Sequence, residues 1–132
     1  MKEIQVKTGS REEFVDITSR VEALLNGDSA SSGSSRVGTI YVPHTTAAVT
    51  INESADPTVQ KDILEQLRSI VPPDGNYRHA EGNSDAHIKS SLIGNTAQVL
   101  VEKGSLQLGT WQGVFFCEFD GPRSRKVWFQ LR

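Results

Sequence analysis

Two proline breaks constrain this chain more than any other feature: Asp56-Pro57 opens its one long amphipathic stretch and Pro72-Pro73 closes it. Aspartate accepts from the free amides of a first helical turn, and proline at the first helical position forfeits no hydrogen bond, so the pair reads as N-cap and N1. From there Val59, Ile63, Leu64, Leu67, Ile70 and Val71 recur at helical spacing until the prolines end the run. Most other apolar residues fall instead into short alternating or β-branched runs, so this helix must share the chain with a sheet.

Ile4 and Val6 alternate within Glu3 to Thr8, Gly9-Ser10 interrupts, and Phe14, Val15 and Ile17 suggest a second strand. Thr18 fits the N-cap of a short helix in which Val21, Leu24 and Leu25 share a face, with Asn26-Gly27 as its stop. Val37 to Val42 and Ala47 to Asn52 flank Pro43-His44-Thr45-Thr46, which makes either a bent strand or two strands with a tight junction. Ser84 or Asp85 fits the cap of a further short helix carrying His87, Leu92 and Ile93, closed by Gly94-Asn95. Ala97 to Val101, Val114 to Phe119 and Lys126 to Leu131 read as β, with turns at Lys103-Gly104 and at Asp120-Gly121, the second a hairpin signal. The expectation is an α+β fold, one compact domain over residues 1–132 with a largely antiparallel β-sheet and two or three helices. Positions 27–36, Gly/Ser-rich and with nothing to bury, read as a mobile loop.

Length and charge narrow the function classes. A chain of 132 residues buries roughly two-thirds of its unfolded surface in one core. With a formal net charge of −2 there is no overall basic field to draw the protein to nucleic acid or an anionic membrane, so any anion must be held by a local cluster. No apolar run approaches the ~20 residues that span a bilayer, the start has no signal-like stretch, and a single cysteine, Cys117, cannot make an internal disulfide. The expected setting is cytoplasmic, with no nucleic-acid or membrane partner.

Chemistry can come from a few polar positions. His44, His79 and His87 each stand at an element end or in a polar loop, where a rigid scaffold displays ligands; three imidazoles suffice for a catalytic metal site, while any one alone reads equally as a hydrogen-bonded structural residue. Glu53, just after a strand, suits a general base, a support for a metal-bound histidine, a magnesium ligand or a solvated carboxylate, whereas Asp56 is accounted for as a helix cap. Arg123 and Arg125 project from one face of an extended strand and form either a phosphate clamp or a charged sheet edge. Trp111, within the run GTWQG, offers an aromatic face for a ring or sits in a bulged turn. Cys117 reads as a buried sheet residue.

Taken together, VPHTTAAVTINE, the DAH of positions 85–87, GTWQG at 109–113 and DGPRSRK at 120–126 resemble the YjbQ-like family, also called the secondary thiamine-phosphate synthase family. The resemblance is close over roughly positions 37–132 and holds in outline before that. It implies a homotrimer with weak thiamine-phosphate synthase activity, joining hydroxymethylpyrimidine diphosphate to thiazole phosphate with release of pyrophosphate. By position it places the family's histidines at His44, His79 and His87, its acidic residue after the strand at Glu53 and its paired arginines at Arg123 and Arg125. The first reading is that the three histidines hold a divalent metal ion such as zinc, magnesium or manganese, with Glu53 and Asp85 as the catalytic carboxylates. Arg123, Arg125, Trp111 and Thr45 would then hold the small phosphorylated substrate. The other reading open at this point is a non-catalytic trimer that binds a small anionic ligand.

Overall fold

The computed structural model describes residues 1–27 and 34–132. The central positions of the Gly/Ser-rich loop expected at 27–36 therefore lie outside the described residues. Along the chain come β1 (Lys2–Lys7), β2 (Glu13–Asp16), α1 (Thr18–Ala23), β3 (Arg36–Tyr41), β4 (Ala47–Glu53), α2 (Pro57–Ile70), α3 (Ser84–Ile93), β5 (Thr96–Glu102), β6 (Ser105–Gln107), β7 (Gln112–Glu118) and β8 (Ser124–Leu131). The fold is α+β, as expected, and every strand pairing is antiparallel.

The strands divide into a five-stranded sheet, β1-β8-β3-β5-β6, and a three-stranded sheet, β2-β7-β4. Alternating residues of both fill one core: Ile4, Val6, Ile40, Val99, Val101, Val127 and Phe129 from the first meet Ala47, Val49, Val114 and Phe116 from the second. The other face of the three-stranded sheet carries Ala48 and Cys117, which pack with Phe119 against Leu67 of α2 and Ala86 of α3. β7, covered on both faces, is therefore buried from Gly113 onward, and an almost continuous apolar run is what such a strand requires. Truncating Phe116, which is 0% exposed, to alanine costs about 3–5 kcal/mol.

Local chemistry accounts for the elements. Asp56 caps α2 by accepting from the Thr58 amide at 2.9 Å, and the helix stops one residue short of Val71, ahead of Pro72. At the start of α1 the cap is displaced from the expected Thr18: Asp16 accepts from both the amide and the hydroxyl of Thr18, which is already helical. Asn83, not Ser84 or Asp85, precedes α3. Lys103 and Gly104, with φ of 50° and 77°, make the two-residue turn between β5 and β6.

Two sheet changes decide where the functional residues go. The segment around Pro43 is two strands, β3 in one sheet and β4 in the other. Asp120-Gly121, expected to close a hairpin, does not: β7 and β8 belong to different sheets, so the chain crosses the sandwich there through a cis Gly121–Pro122 bond. Both crossings lie at one end of the sandwich. No helix among the described residues is long and apolar enough to cross a membrane.

Candidate functional site

The two crossings and the flank of α3 enclose a cleft of about 660 Å³, within the range of small-molecule sites. Its walls include His44, Thr45, His87, Arg123, Arg125 and Asp120. Five of the residues singled out in the sequence thus meet at one opening, brought together from the β3–β4 crossing, α3 and the β7–β8 crossing.

Arg125 anchors the cleft and is itself 4% exposed. Its Nε and Nη2 donate to Glu118, and Nη2 also donates to the hydroxyl of Thr46 at 2.8 Å. Glu118, fully buried at the end of β7, accepts further from the Thr8 hydroxyl at 2.8 Å and from the amides of Phe119 and Asp120. Burial alone would raise the Glu118 carboxyl, but the Arg125 and Thr8 hydrogen bonds outweigh it and hold the group below the usual carboxylate range. The third guanidinium nitrogen, Nη1, makes no hydrogen bond among the described residues and is not sealed off from the surface. Arg125 is thus one half of a buried ion pair and also a fixed donor with unused capacity. Arg123, half-exposed, folds back on Asp120 through Nε to its carbonyl at 2.9 Å and Nη2 to its carboxylate at 3.1 Å.

His44 owes its position to a broken ladder. β8 pairs with β3 only as far as Tyr41↔Trp128, because Pro43 turns the chain away. The amide of Lys126, next on that edge, donates instead to Nε2 of His44 at 3.0 Å. Burial and the neighbouring Arg125 charge lower the His44 pKa, so the ring is neutral at pH 7. His87, across the cleft, has its ring edge-on to His79, with centroids 5.4 Å apart. His79 is exposed near Glu81, their nearest atoms 3.6 Å apart, and stands outside the cleft.

The remaining expected residues go elsewhere. Six strand steps of ~3.3 Å separate Ala47 from Glu53, so Glu53 sits roughly 20 Å away at the opposite end of β4. Trp111 is at that far end too, its carbonyl accepting from the Ser54 amide at 2.8 Å. GTWQG there is a self-closed turn: Gln112 Oε1 accepts from the Gly109 amide at 2.8 Å, and a Cβ on Gly113 would lie 2.7 Å from that of Ser54. Within one chain, neither Glu53 nor Trp111 reaches the cleft.

Asp85 is corrected as well. It is 0% exposed and bound by Arg11 through both guanidinium ends, at 3.2 and 3.1 Å, and by Lys89 at 3.0 Å. Lys89, also 0% exposed, reaches Glu12 at 3.0 Å. Burial raises the Asp85 carboxyl, but the hydrogen bonds from Arg11 and Lys89 prevail and keep it below the ordinary range. This cluster ties the β1–β2 connection to α3 and does not line the cleft. Cys117 is buried, and burial pushes its thiol pKa up, as an inert core residue requires.

The three-histidine metal site does not assemble within the chain. No three His, Cys, Asp or Glu side chains among the described residues converge closely enough to hold a metal ion, and the one in-plane lone pair of neutral His44 already faces Lys126. The sequence reading missed Glu118, Thr46 and Asp120, which orient the arginines. An acidic residue at the end of the apolar β7 run was the available signal for Glu118.

The family model described as "UPF0047 protein YjbQ-like" matches residues 2–132. The UPF0047 protein YugU of Bacillus subtilis is 49% identical over 132 residues, covering 99% of this chain and 98% of its own. A UPF0047 protein of Methanocaldococcus jannaschii is 49% identical over 127 residues, covering 96% and 90%. Among solved structures, an uncharacterized YjbQ/UPF0047-family protein from Clostridium acetobutylicum superposes with a TM-score of 0.94 at 46% identity, covering 100% of both chains. A conserved hypothetical protein from Thermus thermophilus gives 0.90 at 47% identity, again over 100% of both.

Proposed function

The chain belongs to the YjbQ-like UPF0047 family, and from the cleft it carries we propose that it is a cytoplasmic enzyme acting on small phosphorylated substrates. The observation that carries this reading is Arg125: buried, oriented by Glu118 and Thr46, left with an unpaired Nη1, and lining the cleft together with His44, Thr45 and Arg123. A guanidinium held in this way offers directed donors to a phosphate oxygen without first having to be ordered.

The reaction proposed is the joining of a hydroxymethylpyrimidine diphosphate to a thiazole phosphate. The thiazole nitrogen forms a bond to the pyrimidine methylene carbon as the bond from that carbon to the diphosphate oxygen breaks, and pyrophosphate leaves with the electron pair. Negative charge grows on the departing oxygen, and donors aimed there lower the barrier. In this scheme Arg125 and Arg123 receive the leaving group, Thr45 offers a hydroxyl, and His87, whose ring has no hydrogen bond among the described residues, is the one cleft imidazole free to donate a hydrogen bond or a proton to the departing diphosphate oxygen. No step is routed through a metal ion, because the expected ligands do not converge within the chain.

A homotrimer belongs to the same proposal. The outer face of the five-stranded sheet presents Leu100, 58% exposed, and a stacked Tyr41–Trp128 pair whose two members also edge the cleft. A second reading, a non-catalytic trimer that binds a small anion, is favoured by one observation: Glu53 is remote and Asp85 is paired, so no free carboxylate base among those expected reaches the cleft. Mixing the protein with both phosphorylated substrates and measuring pyrophosphate release separates the two readings. Release that falls at least about 10-fold in His87→Ala supports the enzyme. Pyrophosphate binding with no detectable release supports the binding protein.

A further inference from the structure

We infer that His44 is held as its Nδ1–H tautomer and, with Nη1 of Arg125, forms a two-donor receptor for a ligand oxygen that carries only lone pairs, and that His44 is not a metal ligand. The inference deepens the phosphate reading of the cleft and rests on it for the class of ligand, but its first half is independent of any ligand.

A main-chain N–H can only donate. The Lys126 amide lies 3.0 Å from His44 Nε2, so that nitrogen must present its lone pair. A neutral imidazole has one such lone pair and one N–H, which places the proton on Nδ1. Protonating both nitrogens would set two hydrogens against each other at Nε2 and add a charge beside Arg125. Nδ1 has no partner among the described residues and is not sealed, and the same holds for Arg125 Nη1; both side chains line the cleft. Each is also fixed from behind, His44 by the edge of β8 and Arg125 by Glu118 and Thr46.

Two consequences follow from the donor pattern. A metal ion needs a ring lone pair, and His44 can offer one only by giving up the Lys126 hydrogen bond or the Nδ1 proton. An ammonium or another obligate donor would meet N–H groups head-on, whereas a phosphate oxygen accepts from both. His44 is therefore a recognition residue that selects acceptor oxygens, and it is neither a base nor a ligand.

The full chain labelled with nitrogen-15 histidine reads the tautomer directly, since it holds three histidines and the His44→Asn spectrum identifies the resonance that disappears. The expected result at neutral pH is a pyrrole-type Nδ1 and a pyridine-type Nε2 at His44, with the Nδ1 signal moving on addition of inorganic pyrophosphate. His44→Asn, whose amide nitrogen can take the place of Nδ1, should keep pyrophosphate affinity within about 3-fold. His44→Gln, whose amide lies on the Nε2 side, should lose about 10-fold, the scale of one hydrogen bond to a charged group. A protonated Nε2, or zinc binding that vanishes in His44→Asn, overturns the inference while leaving the phosphate reading standing if pyrophosphate still binds. The Nδ1–H tautomer with no pyrophosphate response overturns the receptor and the phosphate reading, and leaves the tautomer.

Discussion

The molecule holds two buried charge clusters that resemble each other in composition and differ in what they border. Beneath α3, Arg68, Glu12, Lys89, Asp85 and Arg11 form a network in which Glu12 meets Arg68, Lys89 and Arg11, and Asp85 meets Lys89 and Arg11. At the sheet crossings, Arg125 and Glu118 form a pair with Thr8 and Thr46 in attendance. Both replace water with partners, and both hold their carboxylates below the usual pKa. Each holds a fixed guanidinium with an unpaired nitrogen, Arg11 Nε in the first and Arg125 Nη1 in the second, but only the second cluster borders the cleft. Burial of charge thus does not mark a site by itself. An oriented group with hydrogen-bonding capacity left over at a cleft does.

Removing the positive centre of each cluster tests that distinction most severely. Lys89→Met leaves Asp85 and Glu12 buried without it, and should lower stability by about 3–5 kcal/mol in urea unfolding while the folded fraction keeps its affinity for pyrophosphate. Arg125→Met should cost a similar amount, by stranding Glu118, and should also abolish pyrophosphate binding. Equal binding losses in both would erase the comparison.

Acid should weaken both clusters together. The folded-state pKa values of Asp85 and Glu118 are depressed, so their contribution is fully present above the ordinary carboxylate range near ~4 and disappears as pH falls through the lower folded values. The urea midpoint should therefore fall between pH 5 and pH 3, and less steeply in Asp85→Asn measured against its own neutral-pH value. An acid slope unaltered by that substitution would remove Asp85 from the account.

The smallest effects are expected at the far end of β4. Glu53→Gln and Trp111→Ala should leave pyrophosphate affinity within about 2-fold of the parent, and Trp111→Ala should leave stability within about 0.5 kcal/mol, since Trp111 is 64% exposed. A large loss of binding in either would mean that a second copy of the chain brings that end to the cleft.

How much of this was legible in the sequence depends on the range of the interaction concerned. The bounds of α2 were readable because Asp56, Pro57 and Pro72 act on their own neighbours. Asp120-Gly121 was read as a hairpin because a local turn signal does not say whether the strands it joins pair with each other. In α3 the sequence did not show which residues turn inward: Leu92 is 59% exposed, while Asp85 and Lys89 are sealed inside. Their burial depends on Arg11 and Glu12, more than seventy positions away, and no local pattern reports that. His44, Thr45, His87, Arg123 and Arg125 were all singled out from sequence and all reach the cleft. Glu53 was grouped with them because a strand end marks it, but sequence does not say which end of a sandwich a strand end occupies.

The central claim is that Arg125 presents a directed donor to a phosphate, and calorimetric titration of inorganic pyrophosphate into the parent protein and Arg125→Lys tests it. Lysine keeps the positive charge but loses the planar fork that Glu118 and Thr46 orient. The account predicts saturable binding to the parent and a loss of at least about 10-fold in Arg125→Lys at unchanged fold. No binding to the parent, or equal binding to both, would contradict it.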